Sequence, residues 1–452
     1  MLRLAMPLAA AQAGTQLMGL VDVAVLGRLG AAELGASGLG NALFFGIAIL
    51  GMGIVMGIDP LVSQALGARQ EGQARRVLWQ GIWLSNIVGF GLMIPMALSP
   101  LILEPMGIAP HLSEPAALYV RIRMLSLPLF MMFIALRSYL QAHGITRPMI
   151  IAMVVANVFN LVADIILVFG GSVLPIWTGP LRNIPAFGVA GAAAASVIAS
   201  FIQLVMLALA VRTIPLKEAT PERLRRFDKP LFVSGFRVGL PVGLQMGAEV
   251  GVFALARVLA AKFGAAQLAA HQIALTLASF TFTVAVGVGA AGSVRVGRFV
   301  GARDRGGARM AGMVALAGGA GFMTLSAILF WLMPRQLGSI LTDQPVVLAA
   351  VVPLLAVAAF FQISDGVQAV GAGVLRGAGD TRFAFAANLV GHWLIGLPIA
   401  LWLGFRTRLG VVGIWWGLAI GLTAVAVLLL IRFVRLSSRE IVPLAQPSFP
   451  AH

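Results

Sequence analysis

The sequence predicts an all-α polytopic membrane protein: twelve transmembrane helices arranged as two parallel six-helix repeats, one lobe per repeat. Three observations lead there. Of 452 residues, 60% are hydrophobic and 11% charged, where an ordinary globular domain carries roughly 25% charge. Apolar stretches of about 20 residues or more recur along the whole chain, each long enough to cross ~30 Å of hydrocarbon as a helix. Landmark residues of the first half also return in the second at near-constant spacing.

The spans can be justified in order. The first, residues 5–28, follows Arg3, and its apolar run continues to Leu26. That exceeds the usual hydrophobic core of a signal peptide, so it reads as a retained helix. Spans 38–66 and 78–103 are separated by Gly67-Ala68-Arg69-Gln70-Glu71-Gly72. Spans 116–141 and 149–169 follow, and Pro180-Leu181-Arg182-Asn183-Ile184-Pro185 separates the latter from span 188–211. This sixth span opens on small residues from Gly188 to Ser196, which let membrane helices approach closely where lipid supplies no hydrophobic drive. The second half holds spans 238–261, 267–294, 311–333, 346–374, 383–404 and 411–434. Transmembrane strands would instead show alternating segments of about 10 residues. The expected organisation is a lobe over 1–212, a linker over 213–237, a second lobe over 238–435 and a tail over 436–452.

Formal net charge is +16, which taken alone suggests a polyanion partner. Its distribution says otherwise. If the N-terminus and even-numbered loops share one side, that side carries 23 of 32 Lys and Arg. The positive-inside rule then places both termini and the linker in the cytoplasm of a bacterial-type inner membrane, where basic loops touch anionic lipid. No soluble basic domain exists to hold nucleic acid. With no Cys and five His, disulfide frameworks, iron–sulfur clusters and Cys-type zinc sites are excluded. There is no Walker lysine, no HExxH and no convergent nucleophile–base set, so neither ATP coupling nor an enzyme is expected. Ion gradients remain as the energy source, with no cofactor beyond H⁺ or Na⁺ as the coupling ion.

The repeat is specific. Pro7 matches Pro241, Gly30 matches Gly264, Gly67-Ala68-Arg69 matches Gly301-Ala302-Arg303, and Arg75 matches Arg309, all about 234 residues apart. Gly144 and Thr146-Arg147 match Gly379 and Thr381-Arg382, and Gly188 matches Gly410. Six spans per half give both halves one orientation, an arrangement of secondary transporters with the substrate path between the repeats.

The acids inside spans are not duplicated. They are Asp22, Asp59, Asp164, Glu249 and Asp365. A charge at helix centre costs about 2.5–3.5 kcal/mol even on insertion scales, so each needs a reason. Coupling to a cation is one reason and helix-to-helix polar packing is the other. Asn157, Asn160 and Asp164 lie on one stripe of the fifth helix and form a pocket with Asp22. Gln245 and Glu249 on the seventh helix face Gln362, Asp365 and Gln368 of the tenth as a second pocket. Asp59, near the cytoplasmic end of the second span, reads as structural. Arg257 is either a counter-ion for Glu249 or snorkels outward. His271 reads as a packing residue, and His392 beside Trp393 as a satisfied core residue. Met and Phe lining a central cavity would suit flat organic cations.

Gly19-Leu-Val-Asp22-x3-Leu-Gly27 and Leu61-Val-Ser-Gln64-Ala-Leu-Gly67-Ala68 resemble the multidrug and toxic compound extrusion (MATE) family. So do Gly239-Leu-Pro241, Glu249, Ala269-Ala-His271-Gln272-Ile273 and Asp365-Gly-x-Gln368-x6-Leu375-Arg376-Gly377-x-Gly379-Asp380-Thr381. The resemblance implies a V-shaped pair of six-helix lobes and cation-driven export of organic cations and other drugs by alternating access. It makes Asp22, Glu249 and Asp365 the acids of the first, seventh and tenth helices, the latter two NorM-like, with possible Na⁺ at Glu249 and Asp365 and no structural metal. Phe361 stands where NorM-like members often carry Tyr. Asn160-x3-Asp164 with Asp22 looks like the N-lobe proton site of the DinF-like branch, so the coupling ion stays open.

The expected function is therefore a secondary active multidrug antiporter. Its partners are small organic cations and membrane lipids, and it is expected to be a monomer. Cation coupling falls to Asp22, Asn157, Asn160, Asp164, Glu249 and Asp365, and the substrate cavity to Gln245, Phe361, Gln362 and Gln368. A lipid-linked precursor flippase of the same superfamily is the alternative. It would need a cavity rich in unpaired Arg, whereas the charges read as buried are mostly acidic.

Overall fold

The computed structural model describes residues 2–174, 176–215 and 224–444, almost all of them helical. Helices α1 (Leu2–Leu26), α2 (Ala31–Val55), α3 (Ile58–Gly67), α4 (Glu71–Leu98), α5 (Pro110–Arg123), α6 (Ser126–His143), α7 (Arg147–Phe169) and α8 (Val189–Arg212) come from the first half. The second half supplies α9 (Lys229–Ala261), α10 (Ala265–Gly301), α11 (Arg305–Leu332) and α12 (Pro345–Ala378). It continues with α13 (Thr381–Asn388), a π-helical turn (Leu389–Gly396), α14 (Leu397–Arg406) and α15 (Val411–Ser437). Among the described residues ten helical segments are long and apolar enough to cross a membrane, α2 with α3 counting as one. The α5–α6 pair, bent by 47°, makes an eleventh, and the 25-residue α1 corresponds to the first predicted span.

Local chemistry sets the ends. Proline occupies the first turn of α5, α7 and α12, where its missing N–H costs nothing. Asp304 caps α11 by accepting from the Gly307 N–H at 2.8 Å. Gly144 and Gly379 close α6 and α12 in the left-handed conformation, at φ 76° and 87°. These two are repeat partners. The backbone carries the repeat elsewhere too: Gly188 (φ 55°, ψ −127°) and Gly410 (φ 56°, ψ −130°) precede α8 and α15 with the same geometry. Arg69 and Arg303 share a positive φ, 61° and 55°, that non-glycine residues seldom adopt.

The chain divides into two compact units. One comprises Ala10–Ile58 and Glu71–Phe236; the other comprises residues up to Ala9, Asp59–Gln70 and everything from Arg237 on. In the former, α7 packs on α8, α4 on α6 and α2 on α5. In the latter, α12 is central, packed by α10, α11 and α15. Its core includes Phe253, Phe361 and Trp415, with Phe361 edge-on to both partners at 6.1 and 5.7 Å.

Helix α3 thus belongs with residues of the second half. It crosses α10 at glycines: a Cβ on Gly67 would run into the Arg298 carbonyl, and one on Gly301 into the Gln64 carbonyl. Gly67 and Gly301 are repeat partners, as are Gln64 and Arg298, so the crossing is symmetric. Beyond it, Asp59 pairs with Arg376 at 3.5 Å. Gln64 donates to the Gly377 carbonyl at 3.1 Å and accepts from the Leu444 N–H at 2.8 Å.

Two expectations change. The count of cations by side treats Lys and Arg outside the apolar runs as solvent-facing, but Arg75 and Arg123 are buried and the Arg376 side chain is only 13% exposed. Long side chains fold back to satisfy helix ends: Arg75 donates to the Val211 and Ile214 carbonyls at 3.0–3.2 Å, and Arg123 to Ser126 Oγ at 2.9 Å. Buried charge is therefore not mostly acidic. Moreover, the seventh helix begins at Lys229 rather than 238, where Asp228 Oδ1 caps it by accepting from the Leu231 N–H at 3.2 Å, and residues 225–228 dock on α4. Gln80 bonds both the Arg226 carbonyl and the Asp228 N–H, and Arg76 pairs with Asp228 at 3.3 Å. Linker residues 216–223 and tail residues 445–452 lie outside the described residues.

Candidate functional site

The first acidic cluster is built on α1, α7 and α8. Residues 160 and 164 are one helical turn apart on α7, so both side chains face the same neighbours. Asn160 and Asp164 are fully buried. The Asn160 amide nitrogen donates to Asp22 Oδ1 at 2.7 Å and to Asp164 Oδ2 at 2.8 Å. Ser196 Oγ of α8 donates to Asp22 Oδ2 at 3.4 Å, so both Asp22 oxygens are engaged and Asn160 bridges the two carboxyl groups. Arg123 lies near enough to attract both acids, with its guanidinium over the Phe44 ring at 4.4 Å. Asn157 stands apart: its amide donates to the Gly14 carbonyl of α1 at 2.9 Å.

The second cluster joins α9, α12 and α13. Glu249 Oε2 accepts from Gln368 Nε2 at 3.1 Å and from Asn388 Nδ2 at 3.3 Å. Asp365 is buried one turn before Gln368, close enough for the two carboxyl groups to interact electrostatically. The oxygens of both amides, Gln368 Oε1 and Asn388 Oδ1, are buried with no hydrogen-bond partner. Arg257 is exposed and forms no ion pair with Glu249 among the described residues.

The remaining predicted residues are not drawn to Glu249 in this way. Gln362, fully buried, exchanges hydrogen bonds with Thr281 at 2.7 and 3.0 Å and donates to Ser326 at 3.1 Å, tying α12 to α10 and α11. Phe361 sits in the aromatic core, and Gln245 is buried without a side-chain hydrogen bond among the described residues. His271 accepts from the Trp415 indole at 3.1 Å. His392 departs from expectation: it is buried against Phe253, and neither ring nitrogen forms a hydrogen bond, although the Asn388 carbonyl is nearby.

Sequence reasoning missed Ser196, Arg123 and Asn388. Ser196 hides at the end of a small-residue run read as packing. Arg123 lies within the 116–141 span, with no neighbouring pattern to single it out. Asn388 left a usable signal, since it is the only Asn after residue 183 and falls within an apolar span.

A polytopic helical bundle with unduplicated carboxyl clusters inside duplicated helices has the architecture of secondary transporters. The chain belongs to the MatE family, whose model it matches over residues 7–166 and 241–402. It is 35% identical to "Multidrug resistance protein NorM" of Burkholderia vietnamiensis over 444 residues, covering 95% of this chain and 92% of that one. It is 36% identical to "Probable multidrug resistance protein NorM" of Rhodopseudomonas palustris, covering 96% and 91%. Its fold is similar to that of a MATE transporter in the bent conformation, with a TM-score of 0.86, 21% identity and coverage of 97% and 94%. An outward-facing multidrug resistance MATE family transporter gives 0.84 at 21% identity, covering 97% and 95%.

Proposed function

We propose that the chain exports organic cations and other drugs across the bacterial inner membrane in exchange for H⁺ or Na⁺, by alternating access. Both termini face the cytoplasm. Cation binding at one or both acidic clusters favours the outward-facing state and releases the drug. The observation that carries this reading is the Asp22–Asn160–Asp164 arrangement, two carboxyl groups bridged by one amide inside membrane helices. The names of the full-length relatives support the substrate class. Glu249 and Asp365 serve as the second cation site or as the anchor for a cationic drug.

The reading is tested by drug counterflow in proteoliposomes with an imposed pH gradient or an imposed Na⁺ gradient. Efflux driven by the Na⁺ gradient alone sinks the proton version. If Asp22→Asn and Asp365→Asn both leave energised dye efflux intact at equal expression, the residue assignment is wrong.

A further inference from the structure

We infer that Asn388 is a positioning and selectivity residue of the second acidic cluster: it orients Glu249 and offers its own amide oxygen to a hard monovalent cation. The inference rests on the proposed reading of Glu249 and Asp365 as a cation site.

Two buried amides donate to one carboxylate oxygen, and each keeps an unpaired oxygen beside the nitrogen that donates. Leaving a buried acceptor unpaired costs about 1–3 kcal/mol. Two such losses on one carboxylate make an unfavourable arrangement, unless a cation takes the free lone pairs. The groups gathered here are two carboxylates and two amide oxygens, the all-oxygen set that hard cations prefer. An amide oxygen ligates Na⁺ or Li⁺ but does not take up a proton at neutral pH. The amides therefore discriminate a metal cation from a proton, which the carboxylates alone do not.

The backbone explains how Asn388 is held. A π-helical turn, Leu389–Gly396, follows it directly. Within that turn Trp393 donates its indole N–H to the Ala248 carbonyl at 3.1 Å, the residue before Glu249. On an α-helix, residues five apart point about 140° away from each other. Winding with i→i+5 bonds brings them to one face. Asn388 and Trp393 can then both bond α9, one at Glu249 and one at Ala248. Such turns are rare and concentrate at functional sites.

The test titrates Na⁺ against the purified full-length protein in proteoliposomes, reading half-saturation of Na⁺-driven drug efflux and, in parallel, efflux driven by a pH gradient. Asn388→Leu is expected to raise the half-saturating Na⁺ concentration at least tenfold and to weaken Na⁺-driven efflux more than pH-driven efflux. If Asn388→Leu is not monodisperse, Asn388→Ser, too short to reach, is expected to behave the same way. A half-saturation within twofold of wild type in a folded variant overturns the inference. Loss of the Na⁺ response in Glu249→Gln but not in Asn388→Leu overturns it alone. A response intact in both Glu249→Gln and Asp365→Asn, or absent from wild type, overturns the cation-site reading as well.

Discussion

The ion pair between Asp59 and Arg376 offers a quantitative test of how α3 is fastened. Its side chains are 11% and 13% exposed, and its charged atoms lie 3.5 Å apart. At an effective dielectric of about 20, two unit charges at that distance attract by about 5 kcal/mol before desolvation. Desolvation cancels much of this, so the net worth of the pair is small, but removing one partner strands the other. Asp59 is poorly placed to lose Arg376, because its Oδ1 already has no hydrogen-bond partner. Arg376→Met should therefore destabilise the fold by about 3–5 kcal/mol. Asp59→Leu combined with Arg376→Met should recover most of that loss. The assay is a double-mutant cycle on thermal or denaturant unfolding of the detergent-purified protein. Additivity of the two single changes to within about 0.5 kcal/mol would refute the reasoning, and so would an Arg376→Met variant as stable as wild type.

Other outcomes follow from the same structure. Gly301→Ala, whose Cβ meets the Gln64 carbonyl, should cost about 1–3 kcal/mol by overpacking. Gly46→Ala has open space and should be neutral in the same unfolding assay. Asn160→Leu removes donors to two carboxyl groups, each worth about 1.5–3 kcal/mol, so pH-driven efflux should fall more than tenfold at equal expression. Gln362→Leu breaks a buried polar tie and should lower stability by about 1–3 kcal/mol, yet leave the Na⁺ titration unchanged. A shifted titration would return Gln362 to the functional site.

The amino-acid sequence alone determined the membrane bundle, its spans and its internal repeat. Those properties are written in runs of apolar residues and in glycines and arginines at fixed spacing, and both can be read from the chain without knowing which helices touch. The Asp22, Asn160 and Asp164 grouping was legible for a similar reason, because two of its members are four residues apart on one helix. Partners contributed by distant helices were not legible. Ser196, Asn388 and Arg123 are ordinary in composition and acquire meaning from what packs opposite them. Gln362 and Gln368 show the limit most clearly. They lie on the same helix and read alike in sequence, yet Gln362 bonds Thr281 and Ser326 while Gln368 bonds Glu249. Tertiary structure also decided that α3 packs with residues from the second half, and that Arg75, Arg123 and Arg376 are buried. The physical reason is that a membrane imposes length and hydropathy on every span but says nothing about which polar groups must satisfy one another. That is settled only when helices from different parts of the chain meet and decide which buried donors, acceptors and charges are paired and which are left open.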